Sequence, residues 1–207
     1  MSSAASTAQR LLRADLREFG GYRSARSSQA SGRVWLNANE SAQASSADAG
    51  GGLRRYPDPQ PPALREALAR LYAVAPAQVL ATRGSDEGID LLLRAFCAPG
   101  QGAIVVAPPV FGMYAVCARL HGARVVEVPA EDTDAGWRSD LDAMAEAALA
   151  SAASLVFVCA PGNPTGEALA PAALAALTAR LQARALVGVD GAYAVYADAA
   201  AGADLLA

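Results

Sequence analysis

Short apolar runs rich in β-branched residues alternate with helix-spaced stretches along the second half of the chain. Ala103–Pro109, Arg124–Pro129, Ser154–Cys159 and Ala185–Val189 each read as strands bounded by turn residues, all but Arg124–Pro129 buried. Between them, the segment from Val110 to His121-Gly122 and the alanine-rich Leu141–Ala150 read as helices. In Pro171–Ala183 the leucines at 174, 177 and 181 repeat at helical spacing. Upstream, Val79–Gly84 reads as a strand running into a helix from Ser85, with Ser85 as its N-cap. Pro61-Pro62 opens a helix through Leu64, Leu68 and Leu71, and Val34–Glu40 reads as a short strand. Thr7–Phe19 places Leu11, Leu12, Leu16 and Phe19 on one face of an amphipathic arm, to lie on its own domain or pack against a second subunit. Polar loops are expected over Gly20–Ser31 and Glu131–Asp140, and a mobile Ala/Ser/Gly linker over Ser41–Gly52.

Strands alternating with helices predict an α/β fold with a mostly parallel sheet. Ser154–Asp190 is its clearest βαβ unit. Ligands of open α/β sheets lie beyond the carboxyl ends of the strands, and those ends carry Asn163, Asp190 and Tyr193. The turn into the helix at Ser85 offers backbone N–H groups, so Gly84–Glu87 is a candidate phosphate cradle as well as an ordinary capped helix start. Phe111, just past a strand end, can cover a planar ring or pack in the core. Tyr56, in the rigid Arg55–Gln60 segment, reads by itself more as a packing residue than as a ligand contact.

The 207 residues are 53% hydrophobic with a net charge of −3, which fits a globular chain with one sizeable core. Mild acidity and the lack of any basic run argue against nucleic acid or an anionic membrane as partner, leaving a small molecule. Residues 1–17 hold no apolar core of a signal peptide or membrane span. Cys97, Cys117 and Cys159 lie in apolar segments without paired spacing, so buried free thiols and a cytoplasmic setting are expected, with no metal site. His121, the single histidine, sits before a glycine at a helix end, where an imidazole meets C-terminal carbonyls. One histidine makes a Ser-His-Asp or zinc hydrolase a poor reading. All 17 Lys+Arg residues are arginines, so lysine-dependent chemistry is excluded for these residues alone.

Leu36–Glu40, Arg55-Tyr-Pro57, Arg83–Gly88, Phe111–Tyr114, Asn163–Gly166 and Val189–Tyr193 occur in the order and spacing of one family. Over residues 33 to 196 the chain resembles the histidinol-phosphate aminotransferases, pyridoxal-phosphate enzymes of fold type I. The resemblance implies the large domain of that fold, a mixed, mostly parallel sheet with flanking helices, over 53–207. The arm, short strand and linker would occupy 1–52. It implies pyridoxal 5′-phosphate as cofactor, with Asp190 on the pyridine nitrogen, Asn163 and Tyr193 on the phenolic oxygen, and Phe111 on the ring face. Ser85, Asp86 and Glu87 would hold the phosphate through backbone and side chains, and Tyr56 would reach a phosphate in a second subunit. Tyr22 and Asn39 would lie near the substrate, and the complete enzyme would be a homodimer.

The implied reaction passes an amino group between histidinol phosphate and a 2-oxo acid, in histidine biosynthesis. The chain departs from the pattern at Phe111, where the family has tyrosine. It departs also at Gly162, for the first asparagine of Asn-Asn-Pro-Thr-Gly, and at Gly191, for a glutamate. The Schiff-base lysine and a later substrate-binding arginine are expected beyond Ala207, so no catalytic residue is assigned within this chain. A strand at 79–84 would then lack sheet neighbours and expose unpaired backbone edges. A threonine-phosphate decarboxylase or a non-catalytic binding remnant are the competing readings. A nucleotide-binding Rossmann module would need a glycine fingerprint, which is missing.

Overall fold

The computed structural model describes residues 6–22, 34–50 and 52–197. Most of the loop expected at Gly20–Ser31, and the tail after Ala197, lie outside them. In chain order the elements are α1 (Thr7–Leu11), α2 (Pro62–Leu71), α3 (Ser85–Phe96), β1 (Ala103–Val106), α4 (Met113–His121) and β2 (Arg124–Glu127). There follow β3 (Glu131–Thr133), β4 (Gly136–Arg138), α5 (Leu141–Ser151), β5 (Leu155–Cys159), α6 (Pro171–Leu181) and β6 (Leu186–Asp190). They fall into two compact units, one formed by Met1–Glu18 with Thr82–Ala207, the other by Phe19–Ala81.

The first unit is built on a four-stranded sheet in the order β2-β1-β5-β6, with every pair parallel. Side chains of a strand alternate between faces. Ile104, Val106, Leu155 and Phe157 accordingly face Ile89 and Leu93 of α3 and Tyr114, Cys117 and Ala118 of α4. Ala103, Val105, Val156 and Val158 face Met144, Ala145 and Ala148 of α5 and the three leucines of α6, at 174, 177 and 181. Both faces of β1 and β5 are covered, which is why these strands read as unbroken apolar runs. Cys97, Cys117 and Cys159 are buried free thiols, as expected.

Several elements differ from expectation. The arm is α-helical only to Leu11, with one 3-10 turn at Ala14–Leu16. Between them Arg13 donates its backbone N–H to Ala95 O (3.0 Å) and its guanidinium to Arg94 O (2.8 Å), so the chain bends to meet the end of α3. Ser85 is the first residue of α3 and Gly84 its N-cap, since Gly84 takes the extended, left-handed conformation φ 81°, ψ 177° that needs glycine. The polar stretch at 131–140 contains the β3–β4 hairpin, too short and too charged to show apolar alternation.

In the second unit, Val34–Glu40 forms no strand. Residues 37 and 38 bend and Asn39 is left-handed at φ 51°. Residues 41–50 form turns held by local bonds such as Ser41 Oγ–H to Gln43 O (2.7 Å). Val79–Gly84 forms no strand either: Val79 is extended, residues 83 and 84 bend, and none of them joins the sheet. The backbone at residues 79 and 81 is nevertheless paired: Ala81 N–H donates to Gln60 Oε1 (2.8 Å), and Gln60 Nε2–H to Ala81 O (2.9 Å). Arg65 Nε–H donates to Val79 O (3.1 Å). Side chains stand in for the missing strand.

Candidate functional site

From β1 the chain crosses to β2 on one side, while β5 pairs on the other side of β1 and leads on to β6. The order therefore reverses between β1 and β5. In open α/β sheets that reversal opens a crevice at the carboxyl ends of the strands. Pro109, Val110, Cys159, Gly162 and Asn163 line a small cleft there.

The loop after β5 is closed by backbone bonds from Gly162 N to Glu167 O and from Gly166 N to Gly162 O, both 2.8 Å. A Cβ on residue 162 would stand 2.1 Å from Thr165 Oγ1. Any larger residue at this departure from the family pattern would have to displace the Thr165 side chain from its place in this loop. Glu167 ends the loop, accepting from both the backbone N–H (2.7 Å) and the hydroxyl (2.6 Å) of Ser139.

Asn163, carried by this loop, donates from Nδ2 to the Tyr193 hydroxyl at 3.3 Å. Two groups able to bond one oxygen atom are thereby brought side by side. Asp190, the last residue of β6, is level with Cys159 in the β5–β6 register. Its Oδ1 accepts the Ala192 N–H (3.0 Å) and its Oδ2 accepts the hydroxyl of Tyr114 (2.8 Å). Phe111 is half-buried and meets Tyr114 edge-on, with ring centroids 5.7 Å apart.

Ser85, Asp86 and Glu87 form the first turn of α3, where backbone N–H groups have no intrahelical partner. The Glu87 carboxylate turns back to accept the backbone N–H of Arg83 (2.7 Å) and its guanidinium (3.1 Å). That backbone bond, then the guanidinium, holds its carboxyl below the usual range.

In the second unit, Tyr22 and Tyr56 are exposed, at 91% and 60%. The Glu40 carboxylate joins the segments that carry Asn39 and Tyr56, accepting from the Arg55 guanidinium (2.6 Å) and the Tyr56 backbone N–H (2.8 Å). His121 meets a helix-end carbonyl, as expected, but that of the neighbouring α3: its Nε2 lies 2.8 Å from Cys97 O. Among the described residues no cluster of His, Cys, Asp and Glu is placed to hold a metal.

Tyr114 was not among the expected site residues. Its one signal in the sequence is a hydroxyl in the otherwise apolar start of α4, three residues after Phe111.

The model of the family "Aminotransferase class I and II" matches residues 20–206. The chain belongs to this family. Among curated relatives, the histidinol-phosphate aminotransferase of Stenotrophomonas maltophilia is 57% identical over 197 residues, 95% of this chain and 54% of the relative. That of Xanthomonas euvesicatoria is 55% identical over 196 residues, with the same coverage. The chain spans about half the length of the curated relatives it matches. Among solved structures, histidinol-phosphate aminotransferase from Sinorhizobium meliloti in complex with pyridoxal-5′-phosphate superposes with a TM-score of 0.65 at 26% identity. That match covers 75% of this chain and 41% of the other. The aminotransferase fold thus accounts for the parallel sheet, its flanking helices and the crevice at the strand ends.

Proposed function

We propose that this chain is the cofactor-binding portion of a histidinol-phosphate aminotransferase, which passes an amino group from histidinol phosphate to 2-oxoglutarate and yields imidazole acetol phosphate and glutamate. The observation that carries the reading is the grouping of a carboxylate, Asp190, with the Asn163–Tyr193 pair at the ends of β5 and β6. The relatives' names supply the substrate.

The donor set fits pyridoxal 5′-phosphate. Each Asp190 oxygen accepts one bond within the protein and keeps a lone pair for the proton of a ring nitrogen. Asn163 and Tyr193 offer N–H and O–H donors to a phenolic oxygen, and Phe111 an aromatic face. The N–H groups of Ser85, Asp86 and Glu87 suit a phosphate. Glu87 serves there through its backbone, because its carboxylate is committed to Arg83. When bound, the cofactor supplies an electron sink for the carbanion at the substrate α-carbon. Asp190 serves that sink by holding a proton at the ring nitrogen. None of the 207 residues is lysine, so none supplies the amine this chemistry uses, and the 207 residues alone are expected to be inactive.

We place the enzyme in the cytoplasm as a homodimer. The exposure of Tyr56 and Tyr22 supports roles at a second subunit's cofactor phosphate and near the substrate, with Asn39 beside them in the family pattern. Among the described residues, no helix is long and apolar enough to cross a membrane.

The test is binding of pyridoxal 5′-phosphate to these 207 residues, followed by the cofactor's absorbance, with Asp190→Asn alongside. Binding that weakens at least tenfold in the variant supports the reading. No binding, or binding indifferent to Asp190, overturns it.

A further inference from the structure

Tyr114 lies in the first turn of α4 and is fully buried. Its ring stacks on Phe157, with centroids 4.9 Å apart and planes 2° from parallel, and receives Phe111 at 84°. A ring held on two sides cannot swing, so its hydroxyl is a fixed donor. That hydroxyl reaches Asp190 Oδ2 at 2.8 Å, across 76 residues of sequence.

An aspartate carboxylate rotates freely about its terminal torsion unless its oxygens are held. Here each oxygen has its own donor, Ala192 N–H on Oδ1 and the Tyr114 hydroxyl on Oδ2. We propose that Tyr114 is a positioning residue of the cofactor site, whose hydroxyl holds and orients the Asp190 carboxylate toward the ring nitrogen of the bound pyridine. This inference rests on the cofactor reading given above.

The arrangement has two effects. The hydroxyl on Oδ2 and the Ala192 N–H on Oδ1 fix the plane of the carboxylate and so the direction of the lone pairs left for a ring nitrogen's proton. Tyr114 also links two cofactor contacts, because the Phe111 ring that would lie on the cofactor's face rests edge-on against it. Burial pushes the phenol up, so Tyr114 remains a donor throughout the pH range in which such enzymes work.

A merely structural tyrosine would fill the same space, and the experiment separates the two roles. Tyr114→Phe keeps the ring and removes the donor. Binding of pyridoxamine 5′-phosphate and of its 1-deaza analogue, in which C–H replaces the ring nitrogen, is measured on the full chain and the variant by fluorescence titration. The wild-type chain is expected to prefer the nitrogen-containing ligand. The variant should lose about tenfold of that preference, the scale of a hydrogen bond to a charged group, with affinity for the deaza analogue unchanged. Asp190→Asn should abolish the preference, and adding Tyr114→Phe to it should change nothing further.

Equal weakening of both ligands makes the role structural and overturns the inference, as does an unchanged preference. If the wild-type chain binds neither ligand, or binds both equally, the cofactor reading itself fails and the inference falls with it.

Discussion

The carboxamide of Gln60 pairs with both backbone groups of Ala81, donating to its carbonyl at 2.9 Å and accepting from its N–H at 2.8 Å. One side chain thereby does for residue 81 what a neighbouring strand does in a sheet. Gln60→Ala is expected to destabilise the second unit by about 1–2 kcal/mol, two modest hydrogen bonds. Hydrogen exchange at the Ala81 amide should accelerate, and an unchanged rate would show that the pairing contributes nothing in solution.

Glu40 makes a comparable junction with charge. Its side chain is 2% exposed and holds both the Arg55 guanidinium and the Tyr56 backbone N–H. Glu40→Ala removes one partner of a largely buried ion pair, and a loss of about 2 kcal/mol or more is expected in urea unfolding. Amide exchange at Tyr56, whose N–H the Glu40 carboxylate holds, should accelerate.

Gly162→Ala tests the loop after β5. The new methyl would meet Thr165 Oγ1 at 2.1 Å and Glu167 N at 3.3 Å, so the loop must shift, costing about 1–3 kcal/mol. Adding Thr165→Ala removes the first obstacle. The double variant should recover part of the loss, and a double variant as unstable as the single one would place the strain elsewhere.

Alkaline unfolding isolates Tyr114. Burial, and after it the bond to Asp190, push its phenol above the ordinary value. A tyrosine in the unfolded chain ionises near pH 10, whereas folded Tyr114 stays protonated there. Its contribution to stability is complete below the unfolded value and is lost as pH rises past it. Tyr114→Phe should therefore flatten the fall in stability above about pH 10. The decline due to Cys97, Cys117 and Cys159, whose thiols burial also pushes up, should remain. Identical pH profiles for the two proteins would contradict this.

The parallel strands and the helices around them were legible because each is buried on one face or both, and burial writes a period into the residues. Leu174, Leu177 and Leu181 are an instance, read at helical spacing and found packed under the sheet. The β3–β4 hairpin was not legible, since Trp137 is its one large apolar residue. Val34–Glu40 and Val79–Gly84 have strand-like composition but find no partner strand among the described residues, and β structure is a property of pairs. In the site, Asn163 and Tyr193 were found by their places after strands, and the structure sets them in contact. Tyr114 was passed over because a buried tyrosine gives no sign, in one dimension, of the carboxylate its hydroxyl will meet 76 positions later.

Among the described residues β6 pairs with one strand only, and all five of its residues are half-exposed. The strand that carries Asp190 is therefore one of the two edges of the sheet, and fraying there would disperse the site while the centre of the sheet stays intact. A ligand that grips Asp190 would bind only the closed edge and so would act as a clasp, its occupancy readable as slowed amide exchange along residues 186–190.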